Sequence, residues 1–190
     1  MIDKLSYYDP VAGAVTILDT NTGDRVQLPS VLGDSGTWSP NALQLIYPEL
    51  KAIDQGEFNQ MLRADLVSNV ITTVMPLSTT NDESVVWSPS GSVIAFTRQN
   101  IGLGGSSGGA MPFGPQIWVS TPDGNAAHAL TDDAEFSYGG LAWSPDGMWV
   151  VAVRNNLQMP NPKPEVWLVR SDGSQQYQLA QDATIPAWIP

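Results

Sequence analysis

The chain has 190 residues, 42% hydrophobic and only 14% charged, with 19 acidic against 8 basic side chains and a net charge of −11. That balance repels phosphate backbones and anionic lipid surfaces and so argues against nucleic acid as a partner. No apolar run approaches the roughly 18 residues of a membrane span, Met1 to Pro10 lacks the basic-then-apolar design of a signal peptide, and the absence of cysteine removes disulfide and thiolate chemistry.

Taken in chain order, Leu5 to Tyr8 and Thr16 to Leu18 read as two strands, the second closed by the turn Asn21-Thr22-Gly23. Trp38-Ser39-Pro40 follows, with Asn41-Ala42 in the turn and a further short turn at Val67 to Val70. Trp87-Ser88-Pro89 opens the next copy, in which Val93 to Phe96 and Ile117 to Val119 are strands and Asp123-Gly124 is a turn. Trp143-Ser144-Pro145-Asp146-Gly147 opens the fullest copy. There Met148 to Arg154, Glu165 to Val169 and Gln175 to Leu179 are strands, with Ser171-Asp172-Gly173 turning the last pair. Trp188 arrives in the same setting.

The tryptophans at 38, 87, 143 and 188 are separated by 49, 56 and 45 residues, a period that marks propeller blades of four antiparallel strands, labelled A to D. The expected fold is therefore an all-β propeller. A single domain, 1–190, would hold a partial repeat (about 1–34), three full repeats (35–83, 84–138 and 139–183) and a closing or partial strand (184–190). About four blades result, as a closed four-bladed ring or as part of a larger propeller, and strand A is expected over Ile185 to Ile189.

Trp-Ser-Pro-Asp-Gly followed by Val93-Ile94-Ala95-Phe96, Ile117-Trp118-Val119 and Asp-Gly resembles the repeat of TolB-like β-propellers. The same WD40-like repeat occurs in prolyl-oligopeptidase-type propellers. The resemblance covers nearly the whole chain. It implies larger rings, commonly six-bladed, so the chain could equally be part of one or half of an eight-bladed homodimer, and it implies a periplasmic or extracellular location. It says little about function, because propellers are platforms for many activities.

Several residues imitate chemistry. Gly104 to Gly108 and Gly105 to Gly109 match G-x-S-x-G around Ser106 and Ser107, but they fall in a glycine-rich loop with no strand-to-helix elbow, and the lone His128 is expected on the outermost strand. No catalytic residue is assigned. Asp82-Glu83, Asp132-Asp133 with Glu135, and Asp182 fall in the expected DA connections and read as a solvated acidic rim rather than a calcium site, since no D-x-D-x-D-G loop is present. No metal or cofactor is expected. Trp87, Trp118, Trp143 and Trp167 recur once per blade and read as packing between blades, with Trp149 less constrained.

Antiparallel alternation puts the AB and CD turns at one end of each blade and the BC and DA connections at the other. The large insertions are all BC: Pro48 to Gln60, Gln99 to Pro115 and Asn155 to Pro164. They carry Ile101, Leu103, Met111, Phe113, Leu157 and Met159 beside the carboxylates Asp132, Asp133 and Glu135. Apolar, adaptable side chains on long loops suit a protein or peptide contact, and the carboxylates favour a partner with a basic patch. A non-enzymatic scaffold for protein–protein interaction is the expected function. The alternative is the gating propeller of a prolyl-oligopeptidase-like serine peptidase whose catalytic domain is not in this chain.

Overall fold

The computed structural model describes residues 4–54, 56–76, 78–101 and 114–188. Among the described residues, fifteen strands, all antiparallel, form four sheets distributed over two compact units, 1–78 and 79–190. Leu103, Met111, Phe113, Ser106 and Ser107 lie outside the described residues.

In the first unit, β1 (Lys4–Asp9), β2 (Ala14–Asp19) and β3 (Arg25–Pro29) make a three-stranded meander, and β4 (Thr37–Trp38), β5 (Gln44–Ile53), β6 (Gly56–Asp65) and β7 (Val70–Thr73) make a four-stranded one. Alternation buries Val15, Ile17 and Leu28 of the first sheet against Leu45, Tyr47 and Ala64 of the second. The insertion expected from Pro48 to Gln60 is not a loop. β5 and β6 are both ten-residue strands, paired from Gln44↔Asp65 to Ile53↔Gly56, and Pro48 sits within that ladder opposite Met61.

In the second unit, β8 (Thr80–Trp87), β9 (Ile94–Asn100), β10 (Gln116–Ser120) and β11 (His128–Ala129) form one sheet; β12 (Phe136–Trp143), β13 (Trp149–Asn156), β14 (Glu165–Arg170) and β15 (Gln176–Gln181) form the other. Ala95, Ile117, Val119 and Leu130 pack against Leu141, Trp143, Val150, Ala152 and Val169, which is the blade-on-blade core the repeat requires. Residues 183–188 belong to no strand, so the strand A expected from Ile185 is absent over the described part of that range.

The Trp-Ser-Pro turns follow one design. In the fullest, the Ser144 carbonyl accepts the Gly147 N–H at 2.9 Å, while the Ser144 N–H donates to the Trp149 carbonyl at 2.8 Å. The Trp149 N–H donates to Ser144 Oγ at 2.9 Å, and the hydroxyl donates to Asp146 Oδ1. Serine is required because its buried hydroxyl serves both sides of the AB hairpin; Ser39 and Ser88 repeat the arrangement with Gln44 and Val93.

Candidate functional site

The BC and DA connections of the second unit are tied together by one amide. Gln116 begins β10 and is buried, because both ends of its side chain find backbone partners. Its Nε2 donates to the carbonyls of Asp133 at 3.0 Å and Phe136 at 2.9 Å, and its Oε1 accepts the Asp133 N–H at 3.1 Å. The connection from β11 to β12 is thereby fixed. Thr131 at its start accepts the Ile117 N–H, and Asp133 Oδ1 caps the Glu135 N–H at 3.1 Å.

On this frame the turn between β13 and β14 docks: the Leu157 N–H donates to the Glu135 carbonyl at 2.8 Å. Gly114 permits the approach. A Cβ there would fall 2.7 Å from Ser137 Cβ and 2.9 Å from Leu157 Cδ1, too close for any side chain. Leu157 and Met159 are exposed, as are Asp132 and Glu135 on the connection that Leu157 joins, whereas Asp133 is half-buried with its backbone engaged by Gln116. Ile101, also exposed, leaves β9 with its N–H on the Thr79 carbonyl at 2.8 Å. The structure thus joins the turn that carries Leu157 to the acidic connection at Glu135. Asp182, after β15, is ion-paired with Lys163.

Asp82 and Glu83 are not in a connection. They lie on β8, where Asp82 is buried and held by Arg98 through Nε at 2.6 Å and Nη2 at 2.7 Å. Burial pushes the Asp82 carboxyl up, and the paired guanidinium opposes that shift. The tryptophans Trp118 and Trp167 also differ from expectation. Both are half-buried, and their rings take arginines: Arg98 lies 4.9 Å from the Trp118 ring, and Arg154 lies 3.7 Å from the rings of both Trp167 and Phe136. Glu165 completes the second cluster, accepting from Arg154 at 2.9 Å and from Trp167 Nε1 at 2.7 Å. Cation–π contact and a charge-assisted bond hold each arginine against the aromatic rings of its blade. Trp143 does join the core, and Trp87 is half-buried. Sequence reasoning aligned Arg98 with Arg154 but missed their partners, and it missed Gln116 altogether. A signal was present in the first case, since Arg98 and Arg154 align with each other just as Trp118 and Trp167 do.

His128 is exposed on β11, where its Nδ1 lies 3.0 Å from the Ala126 carbonyl. Among the described residues no three His, Cys, Asp or Glu side chains are grouped to hold a metal, and no helix is long and apolar enough to cross a membrane.

No family model matches the chain, and no curated protein matches it. Solved structures do. A putative TolB from Agrobacterium tumefaciens aligns with a TM-score of 0.70 at 23% identity, over 94% of this chain and 60% of that one. An oligogalacturonate lyase in complex with manganese aligns with a TM-score of 0.66 at 17% identity, over 94% of this chain and 50% of the other. A prolyl endopeptidase aligns at 0.56 and 14%, over 88% of this chain and 26% of the peptidase. This chain therefore spans only 60% and 50% of the first two. Identities this low speak for shared architecture, and the four-stranded sheets, their Trp-Ser-Pro turns and their stacked cores are the blades of a TolB-like β-propeller fold.

Proposed function

We propose that this chain is a non-enzymatic propeller scaffold, periplasmic or extracellular as the TolB-like resemblance implies, that holds a protein partner at the BC/DA end of its second unit. The observation that carries the reading is the Leu157–Glu135 backbone bond, which ties the turn bearing exposed Leu157 and Met159 to the connection that bears exposed Asp132 and Glu135 and is clamped by Gln116. A rigid frame under adaptable apolar side chains suits recognition of a peptide or protein with a basic patch. The likeness to a prolyl endopeptidase supports a second reading, the gating propeller of a serine peptidase. An α/β-hydrolase domain in the same polypeptide would decide for it.

Leu157→Asp with Met159→Asp tests the first reading. Both side chains are exposed, so the melting temperature should stay within a few degrees of wild type while a partner held by the wild-type protein is lost. Retained binding would remove this face as the contact, and a large fall in melting temperature would show that the pair caps the fold instead.

A further inference from the structure

The three Trp-Ser-Pro turns share one design, and the middle copy departs from it. The pairs Trp38↔Leu45, Trp87↔Ile94 and Trp143↔Val150 fix their register. Three residues past the tryptophan the copies carry Asn41, Ser90 and Asp146, and five residues past it Leu43, Ser92 and Met148. Asn41 Oδ1 and Asp146 Oδ1 each accept the hydroxyl of the turn serine and the N–H two residues on, at 3.1 Å from Leu43 and 2.9 Å from Met148. In the middle copy both tasks fall to the shorter Ser90. Its Oγ lies 3.1 Å from Ser88 Oγ and accepts the Ser92 N–H at 3.3 Å, the longest of the three.

Two short side chains thus stand where the other copies place an amide or carboxylate and a large apolar group. Both serines are exposed, so packing does not make up for the weaker turn. A local rule broken without a compensating contact points to function. The exchange leaves room: a cleft of about 460 Å³ lies between this turn and the turn of the next blade, both within the second unit, and Ser90 and Ser92 line it. That volume falls in the range of small-molecule sites.

The polar groups of the cleft are complementary. Ser90 Oγ lies 2.7 Å from Ser92 Oγ, so three hydroxyls run in a chain from the buried Ser88 to the exposed Ser92. Ser88 is committed at the inner end, where its Oγ accepts the Val93 N–H at 3.2 Å, whereas the Ser92 hydroxyl keeps hydrogen-bonding capacity at the outer end. On the other wall Asp146 uses Oδ1 for its own turn, and its Oδ2 has no partner among the described residues. The Ser144 hydroxyl and the Met148 N–H hold the Asp146 carboxyl below the usual carboxylate range, so it is charged at neutral pH. Pro89, Pro145 and Trp143 supply apolar surface, and no cationic side chain lines the cleft.

We propose that this cleft binds a neutral pyranose, with Asp146 Oδ2 accepting from one ring hydroxyl and the Ser92 hydroxyl bonding a second. A sugar ring offers adjacent hydroxyls that donate and accept at once, and its C–H faces suit proline and indole walls. An anionic sugar is disfavoured, because the one ionisable group in the cleft is a carboxylate. The site lies at the AB end of the blades, opposite the BC/DA end, and so stands apart from the partner contact.

The methyl glycosides of glucose, mannose and galactose, titrated at millimolar concentration into the nitrogen-15-labelled chain, test this directly. At least one should shift the amide signals of Ser90, Ser92 and Gly147 and leave those of Asp132 and Glu135 in place, and glucuronate should bind more weakly than the neutral sugar. Ser90→Asp with Ser92→Met restores the repeat and fills the cleft, so it should keep or raise the melting temperature while abolishing the shifts. Asp146→Asn keeps the turn, as Asn41 shows, and should weaken binding about tenfold by putting a donor where the free acceptor stood; it decides the matter alone should the double variant fold poorly. The proposal is overturned if none of the three glycosides shifts the wild-type signals, if the folded double variant or Asp146→Asn binds as well as wild type, or if glucuronate binds as tightly as the neutral sugar.

Discussion

At the residue scale the AB turns show how far a local rule reaches. Gly147 has φ 69°, and an added Cβ would meet nothing nearer than Pro89 Cδ at 3.9 Å, so the obstacle to a side chain is the backbone and not space. Gly147→Val should destabilise by about 1–3 kcal/mol, read from urea unfolding. Ala42 occupies the same turn position with φ 56° and already bears that strain. Ala42→Gly should therefore be neutral or stabilising by up to about 1 kcal/mol, the relief being reduced by the greater freedom glycine has when unfolded. Glu49 carries a cost of another kind, a buried carboxyl that is invisible in the sequence. It is 8% exposed on β5, its Oε2 has no partner among the described residues, and burial pushes its carboxyl up against the smaller opposing effects of Lys51, the Leu50 N–H and Ser30. A carboxyl raised in the folded state favours folding while protonated and loses that contribution as pH rises through its folded value. Glu49→Gln should accordingly raise the melting temperature near pH 7, with the gain closing as pH falls through the carboxylate range. A gain that persists at low pH would point to packing instead of charge.

At the scale of elements, most of the strands were legible because alternating apolar residues end at turns whose residue types admit few conformations. Asp146-Gly147 and Asp172-Gly173 are such turns, with φ 69° and 74° at the glycines. The long β5–β6 hairpin was not legible. Pro48 and the charges around it read as a loop, yet the proline tolerates its place in the ladder and its carbonyl accepts the Ser30 hydroxyl at 3.0 Å. The start of β8 was hidden for the opposite reason: Thr80-Asn81-Asp82-Glu83 has no apolar alternation, and only the Arg98 pairing explains how Asp82 is buried there. In the candidate site, Leu157 and Met159 stood out because they lie in an insertion that interrupts the repeat, and Asp132 and Glu135 because they are clustered carboxylates in a connection. Gln116 could not stand out, since its role depends on the backbone of residues 133–136, far along the chain. Ile185 was read as part of a strand from the Trp188 register, but residues 183–188 form no strand, and Ile185 instead has φ 56°.

At the scale of the whole molecule, the net charge of −11 and the carboxylates of the BC/DA end make different predictions about a basic partner. The field of the entire chain acts over long distances only at low ionic strength. Near physiological salt the screening length is about 8 Å, so exposed charges farther than that from the contact contribute little to capture. Asp132→Asn with Glu135→Gln removes 2 of the 19 acidic charges, a small change to the whole field and a large one to the site. Lys163 adds no net charge to this end, being paired with Asp182. If the local carboxylates steer the partner, the wild-type association rate should fall as salt rises toward physiological strength, and the double variant should lose most of that slope while its dissociation rate changes little. A slope that survives the double variant would assign steering to the chain as a whole. A rate indifferent to salt in the wild-type protein would leave Leu157 and Met159 as an apolar contact and take the carboxylates out of the recognition.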